Sequence, residues 1–95
     1  MYTRVTSVRV NAASLADLPA KVQEMTAGAK ALPGIIDIYV SWRADGQGVV
    51  TSVYDGKASA DSATAKIAAI WGGLAGMLAA APTNEAYDNV EHLVG

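Results

Sequence analysis

The residues of this chain that could do chemistry are few and stand far apart in the sequence. His92 is the only histidine, and its unperturbed ionisation near neutral pH would suit a general base. Asn11 offers an amide, although an asparagine at the end of a strand more often bonds to nearby backbone. Tyr54 and Trp71 offer a phenol and an indole, which can form a pocket wall or pack in a core. These four are the candidate catalytic residues.

Several kinds of chemistry are excluded or poorly supported by composition. The chain has no cysteine, so disulfides, thiolate catalysis and Cys-based metal sites are impossible. One histidine with scattered carboxylates gives no metal-ligand pattern, and we expect neither a metal nor a cofactor. On a strand over Tyr87–Val94, Asp88 and Glu91 would lie on opposite faces and could not act as a carboxylate pair.

The length, charge and apolar segments of the chain limit its domain organisation and its possible binding partners. The 95 residues favour one domain, spanning residues 1–95. A net charge of −2 with dispersed basic residues argues against nucleic-acid binding. The longest apolar stretch, Ile67–Pro82, is shorter than the ~20 residues of a membrane span. The N-terminus lacks the apolar core of a signal peptide. We expect a cytoplasmic protein that does not bind membranes.

The apolar residues alternate between strand and helix periods along the chain. The predicted elements are a strand over Tyr2–Val10, a helix over Leu18–Leu32, strands over Ile35–Arg43 and Val49–Tyr54, a helix over Thr64–Ala80 that begins near Ser59 or Asp61 and runs to Pro82, and a strand over Tyr87–Val94. This order predicts an α+β, ferredoxin-like βαββαβ domain with a four-stranded antiparallel sheet.

Turn and helix signals refine these elements. Asp45-Gly46 predicts a hairpin turn centred on Gly46. Pro19 is tolerated only in the first turn of a helix, so Asp17 is the expected N-cap and Ser14 lies in the approach loop. Three glycines in the second helix weaken it, and close approach of another backbone or of a ligand is the usual reason. The hairpin pairs are predicted to be Trp42–Val50, Val40–Ser52 and Ile38–Tyr54.

The sheet face that the helices leave uncovered predicts that two copies of the chain associate. Two helices can cover only one face of a four-stranded sheet. The uncovered face would carry Ile35, Tyr39, Val49 and Val53 beside Arg43 and Asp37. That surface is too apolar for solvent and too polar for a dry core, so we expect a homodimer in which two sheets pair into a barrel.

Local motifs resemble those of a known family. They are Leu32-Pro33-Gly34 before the second strand, Val53-Tyr54-Asp55 followed by Lys57-Ala58-Ser59, and Pro82 before Glu85-Ala86-Tyr87-Asp88. With the element order and size, they resemble the dimeric α+β barrel superfamily, especially the antibiotic-biosynthesis-monooxygenase-like family.

The resemblance implies a pocket between sheet and helices and, in some members, cofactor-independent oxidation of quinols. Those oxygenases use an asparagine, a tryptophan and a tyrosine, for which Asn11, Trp42 or Trp71, and Tyr54 are the nearest candidates. Haem-degrading members carry an axial histidine on the second helix, where this chain has Trp71, so haem degradation is not expected. Such members also use an asparagine early in the first strand, and this chain has none there.

Two functions therefore stand open. The first is a cofactor-independent monooxygenase acting on a small aromatic or quinol substrate, with Tyr54 and Trp71 as pocket walls and Asn11 or His92 assisting deprotonation. The alternative is a non-catalytic ligand-binding or stress-response dimeric barrel, in which the same residues only pack.

Overall fold

A computed structural model describes residues 1–94 and has the predicted α+β, ferredoxin-like order. Its elements are β1 (Tyr2–Arg9), a 3₁₀ helix (Ala12–Asp17), α1 (Leu18–Glu24), α2 (Thr26–Lys30), β2 (Ile35–Trp42), β3 (Gln47–Tyr54), α3 (Lys57–Leu74), a 3₁₀ turn (Ala75–Met77) and β4 (Thr83–Tyr87). The strands form one antiparallel sheet in the order β2-β3-β1-β4. No helix in the described part of the chain is long and apolar enough to cross a membrane.

The first helical region is broken, where the sequence predicted one helix. Pro19 lies in the first turn of α1 as expected, and Asp17 occupies the N-cap position without a side-chain capping bond. The amide of Met25 bonds to the carbonyl oxygen of Val22 at 3.1 Å, a tight turn that ends α1 before α2 begins. Ser14 lies in a 3₁₀ helix and not in a loop.

The β2–β3 hairpin has a different register from the predicted one. Asp45, not Gly46, lies at the centre of the turn, and its carboxylate accepts a 3.0 Å hydrogen bond from the amide of Gln47. Gly46 follows with φ of 92°, as in three-residue hairpin loops that end in a left-handed residue. The observed pairs are Trp42–Gly48, Val40–Val50 and Ile38–Ser52. A shift of two positions changes the partners but keeps each side chain on its predicted face.

A bulge at the start of β2 puts Ile35 on the opposite face of the sheet from the predicted one. The register shifts between Ile35 and Asp37, so Ile35 pairs with Tyr54 while Asp37 pairs with Val53. Ile35 consequently packs against the core on the helix side, although the sequence placed it on the uncovered face.

The end of the chain departs most from prediction. α3 stops at Leu74, and β4 spans Thr83–Tyr87 in place of the predicted Tyr87–Val94. The segment after the helix is held against the end of β1, because the amide of Ala79 donates to the carbonyl of Arg9 at 2.8 Å. His92 and Glu91 therefore lie beyond the sheet, and the face argument for Asp88 and Glu91 was wrong.

The helix glycines have no close neighbour within the described chain. A Cβ added at Gly72, Gly73 or Gly76 would meet nothing within 4 Å. Close approach of a backbone from residues 1–94, one of the two reasons expected for these glycines, is therefore wrong, and close approach of a ligand stays a prediction.

The core between helices and sheet consists of two separate clusters. One contains Leu32, Tyr54, Ala60 and Ala63, with Ile67 and Ile70 packed against it. The other contains Val8, Val10 and Leu18, with Trp71, Met77 and Leu78 beside it. A cavity lies between them and supplies the candidate site.

Candidate functional site

A cavity of about 440 Å³ lies between the helices and the sheet, and side chains from both core clusters line it. Its wall is mostly aliphatic and aromatic. The polar or charged residues in the wall are Arg4, Thr6, Thr26, Lys30, Asp37, Ser41, Ser52 and Tyr54, together with the indoles of Trp42 and Trp71. An apolar cavity with few polar groups is the usual form of a small-molecule site.

Tyr54 is the central polar residue of the wall. It ends β3, opposite Tyr2 of β1 and Ile35 of β2. Its side chain is fully buried, because the small residues Ala60 and Ala63 let the ring pack against α3. The hydroxyl has no hydrogen-bond partner among residues 1–94. An unpaired buried hydroxyl costs about 1–3 kcal/mol, and Tyr54 is one of the residues that line the cavity.

The other buried hydroxyls in the wall already have partners. Thr6 donates a 2.7 Å hydrogen bond to the amide oxygen of Asn84, which ties β1 to β4. Ser52 donates to the carbonyl oxygen of Arg4 at 3.3 Å. Both hydroxyls therefore donate to other residues of the sheet. Among the buried hydroxyls of the wall, that of Tyr54 has no partner within residues 1–94.

Arg4 is a wall residue that the sequence interpretation missed. It pairs with Ser52, so it lies one step along the sheet face from Tyr54. Its guanidinium carbon is 6.0 Å from the centroid of the Tyr54 ring, at the outer limit of a cation–π contact. The alternation of the strand could have indicated this. Arg4 is an even number of positions from the buried Val8 and Val10, so it lies on the core-facing side of β1.

The two tryptophans differ in their exposure. Trp71 of α3 is half-buried, lines the cavity and packs against the cluster that contains Val8 and Leu18. Trp42 also lines the cavity, at the end of β2, and remains 38% exposed. The structure therefore brings Tyr54 and Trp71, two of the four candidate residues, into the lining of one cavity.

Asn11 and His92 lie elsewhere. Asn11 follows β1, and its side-chain nitrogen donates to the carbonyl oxygen of Gly76 at 3.5 Å while its amide donates to Met77 at 2.8 Å. This is the backbone-bonding role that asparagines often take. His92 is exposed beyond β4. Neither residue is part of the cavity wall.

Three exposed groups have shifted pKa values. The amide of Gln47 donates to Asp45 and lowers the pKa of that carboxyl. The hydrogen bond to Asp61 raises the pKa of Lys57. A hydrogen bond to Glu85 raises the pKa of Tyr87. Residues 1–94 contain no cluster of three His, Asp or Glu side chains that could hold a metal ion.

The opposite face of the sheet, here called the open face, has no helix over it. It carries half-buried Val5, Val49 and Val53, together with Tyr39 and Tyr87, which are 63% and 47% exposed. The faces of β2 and β3 are thus as predicted, with Ile35 as the exception.

Solved structures with this fold are known. A protein of unknown function from Nitrosomonas europaea superposes with a TM-score of 0.82 at 14% identity, over 99% of this chain and 93% of its own. A candidate antibiotic biosynthesis monooxygenase from Caulobacter crescentus gives 0.78 at 21% identity, over 95% and 90%. Another structure, an antibiotic biosynthesis monooxygenase, gives 0.77 at 12% identity, over 96% and 100%.

The chain has the fold of these proteins. The sequence matches no protein-family model and no curated protein sequence. The similarity confirms the predicted resemblance at the level of fold, and activity must be argued from the site itself.

Proposed function

We propose that the cavity binds a small phenol or quinol and that the protein oxidises it with molecular oxygen and no cofactor. The observation that carries this proposal is Tyr54, whose hydroxyl is fully buried and unpaired among residues 1–94, and which is one of the residues that line a mostly apolar cavity. A ligand with an aromatic body and one or two oxygens would fill the cavity and supply the missing bond.

The volume and wall fit an aromatic body. Trp71 and Trp42 supply flat surfaces, and aliphatic side chains of both core clusters complete the wall. Tyr54 would donate its hydroxyl proton to a ligand oxygen and so fix the orientation of the ring. Asn11 and His92 have no role in this proposal, because neither lies in the wall.

The reaction balances without an added reductant. A phenol with a free para C–H combines with one O₂ to give a para-quinone and one water. One oxygen atom forms the new C=O bond, the other leaves as water with the two hydrogens of the substrate, and the substrate supplies all four electrons. The fold shared with monooxygenases supports this class of reaction.

The probe for this test is 1-naphthol, which would give 1,4-naphthoquinone. We expect stoichiometric binding by calorimetry and consumption of one O₂ for each quinone formed, without metal or flavin. Tyr54→Phe should weaken binding up to about tenfold, the range of one hydrogen bond. Trp71→Phe should lower the rate of quinone formation strongly and the free energy of unfolding only slightly.

Tyr39→Phe is the matched control, since it removes a phenol hydroxyl from the exposed open face. It should bind and turn over 1-naphthol as the unaltered protein does. Equal affinity of Tyr54→Phe and the unaltered protein, or no binding at all, would overturn the proposal.

A ligand-binding protein without turnover is the second candidate. It is favoured by the absence of a general base in the described wall: the single histidine is elsewhere, and Asp37, the one acidic residue among those that line the cavity, is exposed and pairs with Val53 of the open face. Binding of 1-naphthol without oxygen uptake would select this function.

A homodimer through the open face is also proposed. The face presents three half-buried valines between two exposed tyrosines, a surface that a second copy could cover by two-fold symmetry. Native mass spectrometry should show twice the 9.8 kDa chain mass. A monomer at micromolar concentration would refute it.

A further inference from the structure

The exposed part of the cavity wall lies between the short helix α2 and the edge strand β2. The wall residues that are exposed to solvent all belong to these two elements, and they are Thr26 and Lys30 of α2 and Ile36, Asp37, Ser41 and Trp42 of β2. The other wall residues that the structure describes are buried or half-buried. A ligand therefore reaches the cavity through the gap between α2 and β2.

The sequence of α2 gives this helix little stability of its own. It spans the five residues Thr26–Lys30, whereas isolated helices shorter than ~12 residues are marginal in water. Gly28 stands at its centre, where glycine is less favourable than alanine because it loses more conformational freedom. Gly28 does not have the positive φ that would require a glycine. The helical form of α2 therefore depends on its contacts with the rest of the chain.

Those contacts are weak in the described structure. None of the residues of α2 is buried. Within residues 1–94, no side chain of α2 takes part in a hydrogen bond or an ion pair. A Cβ added at Gly28 would meet the side chain of Ile70 in α3 at 3.8 Å, an ordinary van der Waals contact. Segments with few buried contacts open locally at low free-energy cost.

The chain on both sides of α2 is held more firmly. The amide of Met25 bonds to the carbonyl oxygen of Val22 at 3.1 Å, which fixes the end of α1. Leu32 is buried in a core cluster. The carbonyl oxygen of Gly34 accepts a 2.8 Å hydrogen bond from the amide of Asp55. Any opening of α2 is therefore confined to the residues between Met25 and Leu32.

We propose that α2 is a lid over the cavity, and that ligands enter and leave when this helix unwinds between Met25 and Leu32. Unwinding breaks the 3.0 Å hydrogen bond from the amide of Ala29 to the carbonyl oxygen of Met25 and widens the gap beside β2. When the helix re-forms, Met25 and Ala29 return to the wall around the ligand. The inference concerns access to the cavity and applies equally to an oxygenase and to a binding protein without turnover.

The test uses N-phenyl-1-naphthylamine, a neutral probe whose fluorescence rises in apolar surroundings. Gly28→Ala should favour the helical form of α2. It should therefore lower both the association and the dissociation rate constants, measured by stopped-flow fluorescence, by about two- to fivefold. The dissociation constant should stay the same, because the closed lid is favoured equally in the free and in the bound protein. Gly72→Ala is the matched control, since it makes the same substitution in α3 outside the cavity wall, and both rate constants should be unchanged.

A reversible disulfide gives a second measurement. The chain has no cysteine, so Gly28→Cys combined with Ile70→Cys introduces its only two thiols. A Cβ at Gly28 would lie 3.9 Å from Cγ1 of Ile70, close enough for a disulfide that ties α2 to α3. The oxidised form should exchange the probe at least about tenfold more slowly than the reduced form, and a reductant should restore the rate. Comparing two redox states of one variant removes the effect of changing Ile70 in the wall.

Three results would overturn the lid. They are equal rate constants for Gly28→Ala and Gly72→Ala, equal exchange by the oxidised and reduced forms of the double variant, and no binding of the probe, since the cavity would then admit no ligand of this size. The comparison of Gly28→Ala with its control decides the question even if the disulfide does not form. The probe has no phenol group, so the lid and the proposed oxidation of 1-naphthol can fail separately.

Discussion

Arg4 and Tyr54 are diagonal neighbours on the helix-covered face of the sheet, with the guanidinium carbon of Arg4 6.0 Å from the centre of the Tyr54 ring. The β1–β3 register produces this relationship, because Tyr54 pairs with Tyr2 while Arg4 pairs with Ser52. A one-residue slip would move either side chain to the other face. The candidate site therefore depends on the pairing of two central strands.

Tyr54→Phe is expected to leave the free energy of unfolding unchanged or to raise it by up to about 1 kcal/mol, because it removes a buried hydroxyl that has no partner. Urea unfolding followed by circular dichroism measures this. Thr6→Val is the contrast, since Thr6 is buried and donates to Asn84 at 2.7 Å. That variant should lose about 1 kcal/mol. A clear loss of stability in Tyr54→Phe would show that the hydroxyl has a structural partner.

Gly34→Ala is expected to destabilise the protein by at least about 2 kcal/mol. Gly34 has φ of 62°, a left-handed conformation that costs other residues about 1–2 kcal/mol. A Cβ there would also overlap the side chains of Asp55 and Ser59. Thermal unfolding with Gly72→Ala as control tests this, because a Cβ at Gly72 meets nothing within 4 Å. The control should gain about 0.5–1 kcal/mol from its helical position.

The sequence predicted some parts of this site and not others for identifiable reasons. Tyr54 and Trp71 were found because strand parity and helical spacing place large aromatic residues on core-facing positions. Arg4 was missed because composition treats arginine as a surface residue, and only its phase with Val8 indicates otherwise. Asn11 was named as a candidate because of its residue type, whereas in the structure its side chain donates to the backbone carbonyl of Gly76.

The predictions of β4 and of the hairpin register were wrong because contacts distant from the local residue pattern decide both. The residues of β4, Thr-Asn-Glu-Ala-Tyr, are all exposed and lack the apolar alternation that indicates a strand. Their pairing with β1 is decided by tertiary contact and not by local propensity. The hairpin register likewise depends on the bond from Gln47 to Asp45, which residue types alone do not specify.

Tyr87 should ionise at higher pH than an ordinary tyrosine. Its hydrogen bond to Glu85, and then the charge of that carboxylate, raise the pKa of the phenol. A raised folded-state pKa adds stability that is fully present below the unfolded pKa of about 10 and is lost as pH rises through the folded pKa. Titration of ¹³C-labelled tyrosine by NMR measures the shift. Glu85→Gln should lower the Tyr87 pKa toward its ordinary value, and an unchanged pKa would contradict the assignment.

Tyr39→Glu is expected to weaken self-association without unfolding the chain. Tyr39 lies on the open face and is 63% exposed, so its replacement costs the single chain little. In a dimer formed through that face, two-fold symmetry would bury both introduced carboxylates, and an unpaired buried charge is costly. We expect the dimer dissociation constant to rise at least about tenfold, a change of 1.4 kcal/mol, as measured by analytical ultracentrifugation. Ala65→Glu adds the same charge at an exposed position of α3 and should leave association unchanged. If both variants weaken the dimer equally, general repulsion explains the effect, and if neither does, the interface lies elsewhere.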